Sequence, residues 1–201
     1  MKKNIYFIRH GTTKYNEENR VQGAIDICLS SKGYKDIENI KYINKTFDKY
    51  YHSSLSRSRD TLYGYMKNNN IELKNIVEND LIIERGYGIF EGLTRQNIKD
   101  KYPNLYKEWL ENENITGFNI ESVNNVIIRI KKFIKNFINS NNSNILAVTH
   151  SGVLYALYKY IFNLPLYLKP EEMDIKFENG CVICLEIEMY DDETKLNFIK
   201  M

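Results

Sequence analysis

Two apolar runs in this chain each end on a histidine that is followed at once by small residues. The first is Ile5-Tyr6-Phe7-Ile8-Arg9-His10-Gly11 and the second is Ile145-Leu146-Ala147-Val148-Thr149-His150-Ser151-Gly152. Short apolar runs bounded by turn or helix signals read as buried strands. Strands are therefore expected over Asn4 to Ile8 and Ile145 to Thr149, and also over Lys49 to His52, Ile76 to Ile83, Cys181 to Glu188 and Lys195 to Ile199. Helical patterns fall between them: Ser30 to Phe47, Ser56 to Lys67, Thr94 to Glu111 with a break at Pro103, Ser122 to Ile138 and Ser151 to Phe162. In the fourth of these, Val123, Val126, Ile127, Ile130, Phe133, Ile134, Phe137 and Ile138 recur at helical spacing, the stripe of a core-facing helix. Strands that alternate with helices predict an α/β fold whose mostly parallel sheet is covered on both faces. Such sheets bind ligands beyond the carboxyl ends of their strands. Both histidines are expected at that edge.

The chain has 201 residues, a length suited to one domain over residues 1–201. Its net charge of +2 and its scattered lysines and arginines give no reason to expect nucleic acid. No apolar run approaches the roughly 20 residues needed to span a bilayer, and the apolar stretch after Lys3 is too short for a signal peptide. A soluble cytoplasmic protein with no membrane partner is expected. Cys181 and Cys184 form a C-x-x-C, but they lie in a strand-like run with no second ligand pair. Residues three apart on a strand face opposite sides, so these thiols read as small core residues rather than a redox or zinc site.

Two further segments carry chemistry. Tyr51-His52-Ser53-Ser54-Leu55-Ser56-Arg57 runs from strand through a serine-rich turn into a helix start. A helix N-terminus with an arginine fork suits a phosphate. The plainer reading is N-capping by Ser53 or Ser54 with Arg57 in solvent. Leu81-Ile82-Ile83-Glu84-Arg85-Gly86-Tyr87-Gly88-Ile89-Phe90-Glu91-Gly92 places Glu84 at the end of an apolar run. A carboxylate beside an anion site cannot bind the anion, but it can give a proton to a departing alkoxide. Glu91 reads as a structural hydrogen-bonding carboxylate, while His52 and Arg59 are expected to be structural or superficial.

Taken together, Arg9-His10-Gly11, Arg57 in its S-x-x-x-R turn, Glu84 before G-x-F-E-G-L, and Thr149-His150-Ser151-Gly152 resemble the histidine phosphatase superfamily. Asn16, Arg20, Gln22-Gly23, Leu29-Ser30, Gly33 and Glu121-Ser122 fit the same pattern, so the similarity covers nearly the whole chain. The resemblance implies a Rossmann-like three-layer α/β/α sandwich and a metal-independent phosphatase that needs no cofactor. It implies His10 as the nucleophile, Arg9, Arg57 and His150 around the phosphoryl oxygens, and Glu84 as proton donor. Asn16, Gln22, Gly23 and Ser151 would line the phosphate or the mouth of the pocket. The attacking imidazole must be neutral, so its other ring nitrogen should donate to a backbone carbonyl.

Within the family, the mutases resemble this chain in Glu84-Arg85 and Tyr87-Gly88 but carry an extra covering segment between the acid and the second histidine. Here only 66 positions separate Glu84 from His150, which favours the small bacterial phosphatases. The expected substrate is a small phosphorylated metabolite: a sugar phosphate, α-ribazole phosphate or a broad set. A phosphoglycerate mutase is the alternative, and a homodimer is compatible with either. More distant readings are a metal hydrolase using His10, His52, His150 and Glu84, or a non-catalytic phosphate-binding module. The stretch from Thr94 to Ile120, with Trp109 and Phe118, is expected to hold the specificity residues.

Overall fold

The computed structural model describes residues 1–190 and 193–201. Among the described residues six strands form one sheet: β1 (Lys2–Arg9), β2 (Lys49–His52), β3 (Ile76–Glu78), β4 (Asn144–Thr149), β5 (Val182–Tyr190) and β6 (Glu193–Lys200). Their order across the sheet is β3-β2-β4-β1-β5-β6. The first four run parallel, whereas β5 and β6 pair antiparallel to each other and β5 is antiparallel to β1. The helices are α1 (Lys14–Glu17), α2 (Ser31–Glu38), α3 (Ser56–Asn68), α4 (Arg95–Lys101), α5 (Pro103–Glu111), α6 (Val123–Ile138) and α7 (Ser151–Ile161). This is the expected α/β architecture with a mostly parallel sheet.

Alternation along the strands divides the core between two layers. Ile5, Phe7, Ile145, Ala147, Ile183 and Leu185 face α6 and α7, whose Val126, Ile130, Phe133, Val153, Leu154 and Leu157 pack against them. Tyr6, Ile8, Tyr50, Leu146 and Val148 face the other way, onto Ile37 of α2 and Leu62, Tyr65 and Met66 of α3. Burying each such large side chain stabilises the fold by roughly 1.5–3 kcal/mol. The two β5-side cysteines obey the same alternation. Cys184 joins the α2–α3 layer and Cys181 packs against the α6–α7 layer. A third, separate apolar cluster of Phe90, Ile98, Trp109, Ile115 and Ile120 holds together the segment that contains α4 and α5.

Local chemistry explains where elements begin and end. Ser122 accepts from the amide of Asn125 at 3.0 Å and caps α6. Thr94 and Asn97 form a reciprocal cap on α4, and Pro103 at the first position of α5 separates the two helices, as expected from its lack of an N–H. Two expectations fail. The helix from Ser30 ends at Glu38 rather than Phe47, and Ile40, Ile43 and Phe47 are buried from a loop instead. Their apolar spacing mimicked a helix because the loop packs on the same core as α2. The strand expected over Ile76 to Ile83 stops at Glu78, because the Asn79 side chain accepts from the amide of Leu81 at 3.0 Å and turns the chain into a 3-10 turn over Asp80–Ile82. Glu84 therefore stands on a loop, not at a strand end. Among the described residues no helix is long and apolar enough to cross a membrane.

Candidate active site

Register brings the two histidines together. β1 and β4 are adjacent parallel strands that pair Arg9 with Thr149, so the next residue of each, His10 and His150, leaves the sheet at the same edge. The amide of His10 donates to the Thr149 carbonyl at 3.0 Å, and the imidazole centroids lie 5.0 Å apart. Both rings are almost wholly buried. His10 Nδ1 is 2.7 Å from the Gly11 carbonyl, a contact that requires Nδ1 to carry the proton and leaves Nε2 with its lone pair. The pKa of His10 is held well below its usual value, first by burial and then by the charges of Arg57 and Arg9. His150 is depressed as well, by burial, then by Arg57 and His10. Its Nε2 meets the Ser53 hydroxyl at 2.8 Å.

The space beside Gly11 is filled by the protein itself. A Cβ there would fall 2.6 Å from the Gly33 carbonyl oxygen. The space beside Gly152 is likewise taken by the Glu84 carboxylate. Gly11 and Gly33 thus allow the nucleophile's turn to pack against the start of α2.

Arg57 is fully buried, so the plain reading of a solvated arginine with a capping serine does not hold. The helix-capping residue of α3 is Leu55, which makes no side-chain cap bond. Arg57 Nη1 and Nη2 donate to the carbonyls of Ile25 at 2.7 Å and Gly23 at 2.8 Å, which ties Gly23 to the site. Arg9 Nη1 donates to the Phe177 carbonyl. Among the described residues, four buried side-chain N or O atoms have no hydrogen-bond partner, and three of them are Arg9 Nε, Arg57 Nε and His150 Nδ1. Buried polar atoms are normally paired. Three unpaired nitrogens beside one imidazole fit an oxyanion ligand.

Glu84 is nearly buried, with one oxygen accepting from the Arg85 amide at 2.8 Å and the other 3.4 Å from the Gly152 amide at the start of α7. Its loop is clamped from α6. Arg129 donates to the Leu81 carbonyl at 3.0 Å and forks onto Glu121 at 2.9 and 3.1 Å. Glu121 in turn accepts from the Gly86 amide at 3.2 Å, and its carbonyl accepts from Arg85 Nε at 2.7 Å. Both ends of the Glu84 loop are thus held by one arginine.

Arg9, His10, Asn16, Gln22, Gly23, Glu84 and Ser151 line one cavity of about 570 Å³. Asn16 and Gln22 meet through Thr13, whose hydroxyl lies 3.1 Å from Asn16 Oδ1 and 2.8 Å from Gln22 Oε1. Arg57 and His150 are buried and are not among the cavity's lining residues. His52 stands apart from the cavity, with its ring edge-on to Tyr63 at 6.1 Å. Among the described residues no group of three or more His, Cys, Asp or Glu side chains could hold a metal ion, so the expected alternative donor set of His10, His52, His150 and Glu84 does not assemble. Glu91 is structural as expected, accepting from the amides of Ala24 and Tyr87 at 2.9 and 2.8 Å. Trp109 lines the cavity, whereas Phe118 is exposed and takes no part.

Sequence reasoning missed Ser53 as the partner of His150, Asn179, which donates to the His10 carbonyl at 2.8 Å, and a deep wall of Arg85, Glu113, Tyr155 and Lys159. Ser53 resembled a helix cap, and Asn179 gave no local signal. Lys159 did: it is a lone cation in the otherwise apolar run of α7.

Comparison with known proteins agrees with this geometry. The model of the histidine phosphatase superfamily (branch 1) matches residues 5–199. A 2,3-bisphosphoglycerate-dependent phosphoglycerate mutase of Buchnera aphidicola is 32% identical over 196 residues, spanning 81% of this chain and 85% of that protein. Phosphoserine phosphatase 1 of Hydrogenobacter thermophilus is 26% identical over 166 residues, spanning 81% and 77%. Among solved structures, a mycobacterial glucosyl-3-phosphoglycerate phosphatase superposes with TM-score 0.82 at 20% identity, covering 100% of this chain and 98% of that one. The α-ribazole phosphatase of Shigella flexneri superposes with TM-score 0.79 at 20% identity, covering 98% and 96%. With its two histidines at one sheet edge and a family match over almost its whole length, the chain belongs to the histidine phosphatase superfamily, branch 1.

Proposed function

We propose that this protein is a metal-independent phosphomonoester hydrolase, one catalytic domain over residues 1–201, acting through a phosphohistidine on a small phosphorylated metabolite. One observation carries the reading: His10, with its proton directed at Gly11, lies beside His150, Arg9 and Arg57, each of which has a buried nitrogen without a partner. His10 Nε2 attacks phosphorus in line and the bond to the ester oxygen breaks. Arg9, Arg57 and His150 take the equatorial oxygens, since phosphoryl transfer is accelerated mostly by positioning and charge stabilisation. Glu84 gives its proton to the leaving oxygen. Water then attacks the phosphohistidine, Glu84 takes the water proton, the P–N bond breaks, and inorganic phosphate leaves with His10 restored. Asn16, Gln22, Gly23 and Ser151 shape the mouth around the substrate. A cytoplasmic location and a homodimer belong to the same reading.

The test is a quenched reaction with a ³²P-labelled phosphomonoester. An acid-labile, base-stable label on the intact protein is expected, absent from His10→Ala. Turnover with no such label, or label that persists in His10→Ala, contradicts the proposal.

A second reading, phosphoglycerate mutase, is favoured by the 32% identity to the Buchnera enzyme. The 66 positions from Glu84 to His150 support hydrolysis, because a short covering segment leaves water access to the phosphohistidine. Assaying 3-phosphoglycerate with 2,3-bisphosphoglycerate separates the two. Release of phosphate supports the hydrolase, and formation of 2-phosphoglycerate without net phosphate release supports the mutase.

A further inference from the structure

Five cations line the cavity: Arg9, Arg20, Arg85, Arg95 and Lys159. Arg9 belongs to the phosphoryl end. Arg20 is paired with Glu18 at 2.5 Å, Arg85 with Glu113 at 2.5 Å and Arg95 with Glu171 at 2.6 Å. Lys159 differs from these three paired cations. It is only 3% exposed, and its ammonium donates to the Leu166 carbonyl at 2.9 Å. Among the described residues no carboxylate lies within 4.0 Å of it. A buried charge without a counter-ion is costly, and the cavity is the side from which a counter-ion can arrive. The groups around it do not neutralise it. Glu113 is already bound to Arg85 and to Trp109 Nε1 at 3.0 Å, and Glu172 accepts from the amide of Lys169. Burial accordingly pushes the Lys159 ammonium down to about 8, against the attraction of Glu113.

Position on α7 gives a length scale. Gly152, Tyr155, Ala156 and Lys159 lie on one face and all line the cavity. Lys159 is seven residues beyond Gly152, which touches the Glu84 carboxylate, so its Cα lies roughly 10 Å along the helix axis from the departing oxygen's proton donor. The ammonium is fixed there by the Leu166 carbonyl. A separation of this order suits a small ester alcohol.

We propose that Lys159 docks a carboxylate on the leaving-group side, so that the substrate is the phosphomonoester of a small hydroxy acid. This rests on the hydrolase reading of the same cavity. Lys159 is on this view a specificity-determining residue, distinct from the groups that touch phosphorus.

Two matched pairs of esters test it, each differing only in a carboxylate against a CH₂OH: 3-phosphoglycerate with glycerol 3-phosphate, and 6-phosphogluconate with sorbitol 6-phosphate. In the native protein at least one acid ester should be preferred by about tenfold or more in kcat/KM, with the difference in KM. Lys159→Met should bring that ratio within about twofold, and Lys159→Arg should restore part of it. The ratio is the readout, so a general loss from a poorly folded variant cancels. No preference in either pair, or a preference that survives Lys159→Met, overturns the inference. Calorimetric binding of the same pairs to His10→Ala keeps the two readings separable. A carboxylate preference in binding with no turnover of any ester would retain the Lys159 subsite and remove the hydrolase.

Discussion

Gly152 and Glu84 fit against one another so closely that a single methyl group would separate them. A Cβ at position 152 would lie 2.4 Å from Glu84 Oε1 and 3.2 Å from Arg85 Cβ. Real Cβ atoms do not approach an oxygen so closely, so Gly152→Ala must displace the carboxylate or the start of α7. We expect a loss of about 1–3 kcal/mol in stability, typical of overpacking, and a fall in kcat for alkyl phosphates larger than that for p-nitrophenyl phosphate. Unchanged kinetics on both would show that Glu84 does not need this position.

Glu84→Gln keeps the shape and removes the proton. With alkyl phosphates, whose alkoxides leave poorly, kcat should fall about 10²–10⁴-fold, the usual range for a positioned general acid. With p-nitrophenyl phosphate the fall should be much smaller, since that anion leaves unaided. Equal losses across a leaving-group series would reject the assignment.

Arg129 does not line the cavity, yet it holds the Leu81 carbonyl and the Glu121 carboxylate that together frame the Glu84 loop. Arg129→Met should lower kcat for alkyl phosphates by roughly tenfold, about 1.4 kcal/mol of transition-state stabilisation. It should leave vanadate affinity close to native, because the phosphoryl end is built from other elements. A matching loss of vanadate binding would mean that the variant disturbs the whole site.

Both site histidines have folded-state pKa values depressed below the ordinary value of 6.5 by burial and neighbouring arginines. The unfolded chain therefore binds protons below about pH 6.5 that the folded chain refuses, and stability falls as pH drops from there toward the folded values. Each histidine contributes up to about 1.4 kcal/mol per pH unit in that window. Urea titrations at pH 7.5, 6.5 and 5.5 should show the decline, and a His10→Gln, His150→Gln double variant should flatten most of it. A native protein whose unfolding free energy is constant over that range would contradict the buried neutral state.

The parts of this molecule that could be read from the chain alone are those where one physical signal dominates. The strands ending at His10 and His150 and the stripe from Val123 to Phe137 are locally unambiguous, and they place the two imidazoles at one edge of the sheet. Glu84 stands out by its chemistry, but it lies on a loop rather than at the expected strand end, because a single Asn79 side-chain bond ends β3 early. The region from Ile40 to Phe47 imitated a helix because burial imposes apolar spacing on loops too. The cavity wall around Lys159 was illegible for a different reason. Glu113, Arg85 and Lys159 come from separate elements, and only their pairing in space shows which cation is left over.

The placement of β1 also bears on how the enzyme fails. It is an interior strand, paired through Asn4 to Arg9 with β4 on one side and through Lys2 to Ile8 with β5 on the other. Amide hydrogens of Phe7 and Ile8 should therefore exchange with deuterium only when the entire molecule opens, whereas the small cluster around Trp109 can come apart on its own. Partial denaturation would then open the Trp109 side of the cavity first and abolish phosphate chemistry last.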